Sequence, residues 1–248
     1  AANEGRHHLH GGTRGFDQAV WAGRSSTSDA GPSVAFSHTS PDGDEGYPAA
    51  LDVTVTYTLG HDDALRIDYG ATCGAPTLVN LTNHSYWNLA GHADVLAHDL
   101  ELRADRYTEV DADLIPTGRL LPVAGTPLDF TSAEPIGRDL ADQPGGYDHN
   151  FVLADAPRSE PELAAIVRDP ASGRTMRVET TEPGVQLYSG NFLDGIVGQR
   201  GARHGRHAGL CLEAQRFPDA IHHPTIPSVV LRPGDTYRQV TVHTFGAD

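Results

Sequence analysis

An all-β sandwich is the fold this sequence predicts, and three observations predict it. Glycine and proline are frequent, 27 and 17 in 248 residues, which suits many short strands joined by turns better than long helices. Residues 51–59 alternate strictly, with Leu51, Val53, Val55, Tyr57 and Leu59 separated by Asp52, Thr54, Thr56 and Thr58, the pattern of a half-buried antiparallel strand. Roughly a dozen short strand candidates occur along the chain, and helical periodicity is nearly absent. With 38% apolar residues the chain has enough material for a real core, and it is read as one domain over 1–248.

Taken in order, residues 1–21 carry His7-His8-Leu9-His10-Gly11-Gly12, an unusual concentration of histidine beside a glycine pair that lets the backbone approach a ligand. Residues 37–46, with Ser-Pro-Asp-Gly-Asp-Glu-Gly, read as a turn-rich loop. The strand at 51–59 turns at Gly60-His61-Asp62-Asp63 into a second at 64–69, a hairpin. A third strand is expected at 76–83 and another at 99–110. Residues 110–126, with Pro116, Gly118, Pro122 and Gly125, read as loop, and 131–137 as at most one helical turn. Strands are then expected at 147–153, 164–169, 174–181, 184–188, 210–213, 229–232 and 236–244.

The net charge of −15 would repel phosphate backbones and anionic membranes, so nucleic acid and membrane are not expected partners. Two cysteines, Cys73 and Cys211, form no disulfide framework and read as small buried residues. The first fifteen residues are polar and His-rich rather than a signal peptide, and no apolar run approaches the roughly 20 residues that span a bilayer. The expectation is a soluble, cytoplasmic protein.

Chemistry concentrates in five clusters. Leu81-Thr82-Asn83-His84-Ser85-Tyr86-Trp87-Asn88-Leu89-Ala90-Gly91 holds too many polar side chains for a core, where each unpaired one costs about 1–3 kcal/mol, and too much aromatic surface for a plain loop. Hydrogen-bonding groups beside a flat ring suit a carbohydrate. The others are the histidine segment, Tyr147-Asp148-His149-Asn150-Phe151, residues 184–191, and Leu210-Cys211-Leu212-Glu213-Ala214-Gln215. In the last, Glu213 and Gln215 share one face of a strand. A desolvated Glu rises from about 4.3 toward neutrality, which suits a general base. His8 with His10, or His222 with His223, have ligand-like spacing, but no Cys pair or helpful carboxylate accompanies them, so no metal is expected. Glu213 with Asp148 as a glycosidase pair would leave His84 unexplained.

His8-Leu9-His10-Gly11-Gly12, residues 40–58, the Leu81 to Gly91 stretch, Gly146-Tyr147-Asp148-His149-Asn150, residues 184–195, and Leu212-Glu213-Ala214-Gln215 with Pro218-Asp219-Ala220 resemble the galactose mutarotase (aldose 1-epimerase) family from about Asn3 to about Phe245. The resemblance implies a β-supersandwich, here without the family's further N-terminal strands and the Asn-Arg pair they carry. It implies an enzyme that interconverts the α and β anomers of free hexoses such as galactose or glucose, with no cofactor. By matching motif, Glu213 resembles the general base at the C1 hydroxyl and His84 the general acid at the ring oxygen. His10, Asp148 and Gln186 match sugar-contacting positions. Trp87 is either an apolar wall for the sugar or a core aromatic. The alternative is a catalytically weak or inactive sugar-binding module of the same fold.

Overall fold

The computed structural model describes residues 2–247. Nearly every regular element is a strand, and helical structure among the described residues is confined to four three-residue 3-10 turns. Among the described residues, no helix is long and apolar enough to cross a membrane. The chain forms two compact units: one runs up to Asn80 and takes back Val229–Val240, and the other comprises Leu81–Ser228 and the chain from Thr241.

The first unit is built on an antiparallel run of four strands, Ala22–Ser28, Gly31–Ser40, Leu51–Leu59 and Ala64–Cys73. The predicted alternation holds over residues 51–55 and at Ile67 and Tyr69, while Tyr57 and Leu65 are half-buried and Leu59, expected on the buried face, is exposed. Leu51, Val53 and Val55 are buried with Ala64, Ile67, Tyr69 and Ala71, while Asp52 and Thr54 face solvent. The first strand carries no such signal, because every residue of Ala22–Ser28 is exposed and a strand with no buried face has no pattern to read; in the second only its end residues Gly31 and Ser40 are buried. The turn-rich reading of 37–46 applies only after Ser40. Gly31, at φ +124°, lets this strand pass where a Cβ would stand 2.1 Å from the Leu59 carbonyl oxygen.

The second unit is a sandwich of two antiparallel sheets. One has the order Cys211–Gln215, Gly184–Tyr188, Asp148–Val152, Arg106–Val110, Pro116–Pro122. The other places Glu134–Pro135, Asp99–Leu102, Glu162–Arg168 and Arg174–Thr180 side by side, with the chain from Thr241 paired to Arg174–Thr180. Phe151, Val185, Leu187 and Leu212 from the first sheet meet Leu100, Leu102, Val167, Met176 and Val178 from the second in one buried cluster, joined by Phe130, Ile136 and Tyr147. Strand side chains alternate between faces. The residues interleaved with that apolar set, Asp148, Asn150, Gln186, Tyr188, Cys211 and Glu213, therefore occupy the opposite face of the five-stranded sheet.

Four local expectations change. The strand expected at 76–83 is only Thr77–Leu78, paired with Val230–Leu231; beyond it the backbone leaves the ladder. The segment 99–110 is two strands, Asp99–Leu102 and Arg106–Val110, because the chain crosses from one sheet to the other between them. Residues 116–122 are a strand rather than loop. Pro116 and Pro122 fit there because the strand lies at the edge of its sheet, where a missing N–H is tolerated. At 131–137 a short strand, Glu134–Pro135, replaces the expected helical turn and pairs with Asp99 and Leu100.

Candidate active site

The Leu81 to Gly91 stretch is fastened alongside the strand that carries Glu213. The Thr82 hydroxyl donates to the Ala214 carbonyl at 2.9 Å. Five residues on, Trp87 and Leu210 exchange backbone hydrogen bonds of 2.8 and 2.9 Å. With Thr82 opposite Ala214 and Trp87 opposite Leu210, His84, which lies between them, falls over Cys211 and Glu213. The far end is closed by Asn88, whose side chain donates to the Ala208 carbonyl at 2.9 Å and accepts from the Gly91 amide at 3.0 Å. Beyond it, the Leu89 amide donates to His98 Nε2 at 3.0 Å. Burial holds that imidazole below its ordinary pKa, which keeps the ring nitrogen available as an acceptor.

His84 Nε2 lies 3.6 Å from Glu213 Oε1, and its Nδ1 lies 3.4 Å from Cys211 Sγ. The Glu213 side chain is only 8% exposed, while that of His84 is 33% exposed, so the carboxyl is desolvated and the imidazole stands at the mouth. Burial, and then the charge of Asp148, push the Glu213 carboxyl up to about 8. Asp148 is held by Gln186, whose Nε2 donates to Asp148 Oδ1 at 2.8 Å. Gln186 pairs in register with Asn150 on one side and Glu213 on the other, so one row across three strands forms the polar floor. Among the described residues, the buried Gln186 Oε1 has no hydrogen-bond partner. Asn150 extends the floor, donating to the Thr108 hydroxyl at 2.8 Å.

Aromatic rings line His84. Tyr86 lies 5.2 Å from the His84 ring and Tyr188 lies edge-on at 6.1 Å. The exposed Phe192 stacks on Tyr188 at 6.2 Å, and the Phe192 amide donates to the Tyr188 hydroxyl at 2.9 Å.

Four of the six residues singled out from the sequence, His84, Glu213, Asp148 and Gln186, thus come together on one sheet face. Trp87 does not join them: its ring packs on His243 and Phe245 at 5.1 and 5.4 Å, against the unit's core. Of its two sequence readings, the core aromatic is the one the packing supports, and Tyr86 is the ring beside His84. His10 belongs to the other compact unit, where it takes a left-handed φ of 55° ahead of Gly11 and Gly12. Tyr86 and Tyr188, and Cys211 beyond its reading as a small buried residue, carry no site assignment from the sequence. Period-two counting from Glu213 and Gln186 finds Cys211 and Tyr188, since each lies two residues away on the same face. His222 and His223 turn to Asp219, at 2.5 and 3.4 Å. No cluster of three His, Cys, Asp or Glu able to hold a metal occurs among the described residues.

Gly209 allows the close approach of the His84 stretch. A Cβ there would stand 3.1 Å from Tyr86 Cβ and 3.5 Å from the Trp87 carbonyl oxygen. Gly209→Ala is expected to push Tyr86 and His84 outward by a few tenths of an ångström, to cost about 1–3 kcal/mol of stability, and to slow turnover. Thermal melts and turnover measured side by side check this, and wild-type values for both would show the spacing to be loose.

The geometry sets an imidazole and a desolvated carboxyl above a polar floor. The sequence profile described as aldose 1-epimerase matches residues 1–244. The chain is 46% identical over 249 residues to galactose mutarotase of Homo sapiens, covering 99% of this chain and 71% of that protein. It is 39% identical over 254 residues to aldose 1-epimerase of Escherichia coli K12, covering 99% and 72%. The crystal structure of an aldose epimerase homologue from C. elegans superposes with a TM-score of 0.89 at 33% identity, covering 99% of this chain and 74% of that one. Galactose 1-epimerase from Lactobacillus acidophilus superposes with a TM-score of 0.84 at 27% identity, covering 100% and 72%. This chain belongs to the aldose 1-epimerase family.

Proposed function

We propose that the chain interconverts the α and β anomers of free hexoses such as galactose and glucose, with Glu213 as general base and His84 as general acid. The observation that carries the reading is the 3.6 Å separation of His84 Nε2 and Glu213 Oε1. The ring oxygen and C1 hydroxyl of an aldose sit on one carbon and are closer together than that. Two protein groups at this spacing can address both, one each. The raised carboxyl adds to the argument, since a group near 8 is a stronger base than an ordinary carboxylate.

The reaction then runs as balanced proton transfers. Glu213 takes the C1 hydroxyl proton, the O1 lone pair forms the carbonyl, and the C1 bond to the ring oxygen breaks. His84 delivers the Nε2 proton to that oxygen. The aldehyde turns about the C1–C2 bond, and the ring oxygen adds to the other face of C1. His84 recovers its proton and Glu213 returns one to O1, so both groups end as they began. Asp148 and Gln186 are read as sugar contacts: their hydrogen bond occupies one oxygen of Asp148 and leaves Gln186 Oε1 to accept a sugar hydroxyl. For His10 the sugar-contact reading rests on its motif alone. A small neutral sugar also suits a chain of charge −15, which repels anionic partners.

Polarimetry on freshly dissolved α-D-galactose and α-D-glucose tests the proposal. Acceleration over buffer, proportional to protein concentration, is expected for at least one of them. Sugar binding without acceleration would leave a sugar-binding module of the same fold.

A further inference from the structure

Cys211 lies two residues before Glu213 on the same strand and so on the same face, and it is fully buried. Its Sγ is 3.4 Å from His84 Nδ1, while Nε2 of the same ring looks toward Glu213 Oε1. An imidazole turned over about its Cβ–Cγ bond presents carbon where it had presented nitrogen, and its proton can sit on either nitrogen. Proton delivery to a sugar requires Nε2 to face the substrate. The rings of Tyr86 and Tyr188, at 5.2 and 6.1 Å, confine the imidazole by shape and distinguish poorly between its edge atoms. A hydrogen-bonding sulfur at Nδ1 does distinguish them.

We infer that Cys211 is a positioning residue, its thiol bonded to His84 Nδ1 so that the ring is held with Nε2 toward Glu213. The inference rests on the acid role proposed above for His84. Burial first, and then the charges of Glu213 and Asp148, push the Cys211 thiol well above its ordinary range. The ring therefore meets a neutral thiol, which both donates and accepts weakly, and the thiolate form that gives cysteine its reactivity is suppressed.

The test compares Cys211→Ala and Cys211→Ser in the full chain. Nitrogen-15 NMR of labelled histidine reads the ring directly, with the His84 signals assigned by their absence in His84→Gln. One dominant ring form is expected in the wild type and in Cys211→Ser, whose hydroxyl reaches the same nitrogen, and an averaged pattern in Cys211→Ala. Turnover is expected to fall about tenfold in Cys211→Ala with KM held within about twofold, and to recover to within about threefold in Cys211→Ser. Wild-type ring signals and turnover in Cys211→Ala would overturn the inference. So would a serine variant that recovers neither, since the loss would then reflect thiol volume. Failure of the underlying reading looks different. Full turnover in His84→Gln removes the acid assignment, while the ring signals of Cys211→Ala still decide whether the thiol orients the imidazole.

Discussion

Glu213→Gln is expected to lose between about 10²- and 10⁴-fold in kcat, the range for removing a positioned proton-transfer group, with galactose binding still measurable. The glutamine keeps the volume of the side chain and its register beside Gln186, so the polar floor survives while the base is lost. The same variant carries a stability signature of opposite sign. The Glu213 carboxyl is raised to about 8 in the folded chain, above its unfolded value. The stability it contributes is therefore fully present below about pH 4.5 and is lost as pH rises through about 8. Glutamine does not titrate. Above pH 8 the variant should unfold at higher temperature than the wild type, with a difference on the order of a few kcal/mol, while turning over far more slowly. Polarimetry and thermal melts read the two halves separately. Undiminished turnover would show that another group is the base.

His84→Gln is expected to cost a comparable factor of about 10²–10⁴ in kcat. The imidazole stands at the mouth with Nε2 toward the carboxyl, and glutamine preserves a polar side chain there without a transferable proton. In the proposed mechanism acid and base act on one ring-opening event, so their losses should not multiply. The double variant His84→Gln with Glu213→Gln should be little slower than the slower single one, as for residues that function as a unit. Kinetics of all three variants against the wild type check this. Fully multiplicative losses would place the two groups in separate steps.

Much of this arrangement is legible in the chain itself. The strict alternation over 51–59 gives its strand correctly, and the apolar positions at Val185, Leu187 and Leu212 define a core face whose complement carries Gln186 and Glu213. The exposed strand Ala22–Ser28 is invisible to the same reasoning because none of its residues is buried. Trp87 shows another limit. Its neighbours in sequence are polar, but the backbone pairing with Leu210 turns the ring onto His243 and Phe245, residues more than 150 positions later. Such a partner is fixed by tertiary packing and leaves no local signal. Cys211 is intermediate: period two puts it on the face of Glu213, but its contact with His84 depends on how the Leu81 to Gly91 stretch is fastened by Thr82 and Trp87.

The pH dependence of kcat/KM tests the acid–base pair most directly. Measured by polarimetry from about pH 3 to about pH 10 with the buffer rate subtracted, the ascending limb of kcat/KM for the wild-type chain should have its midpoint near 8, because the free protein's base must lose its proton and burial holds that proton on Glu213. An ascending limb with its midpoint near pH 4.5 would be the signature of an ordinary solvated carboxylate and would contradict a desolvated Glu213 as the base.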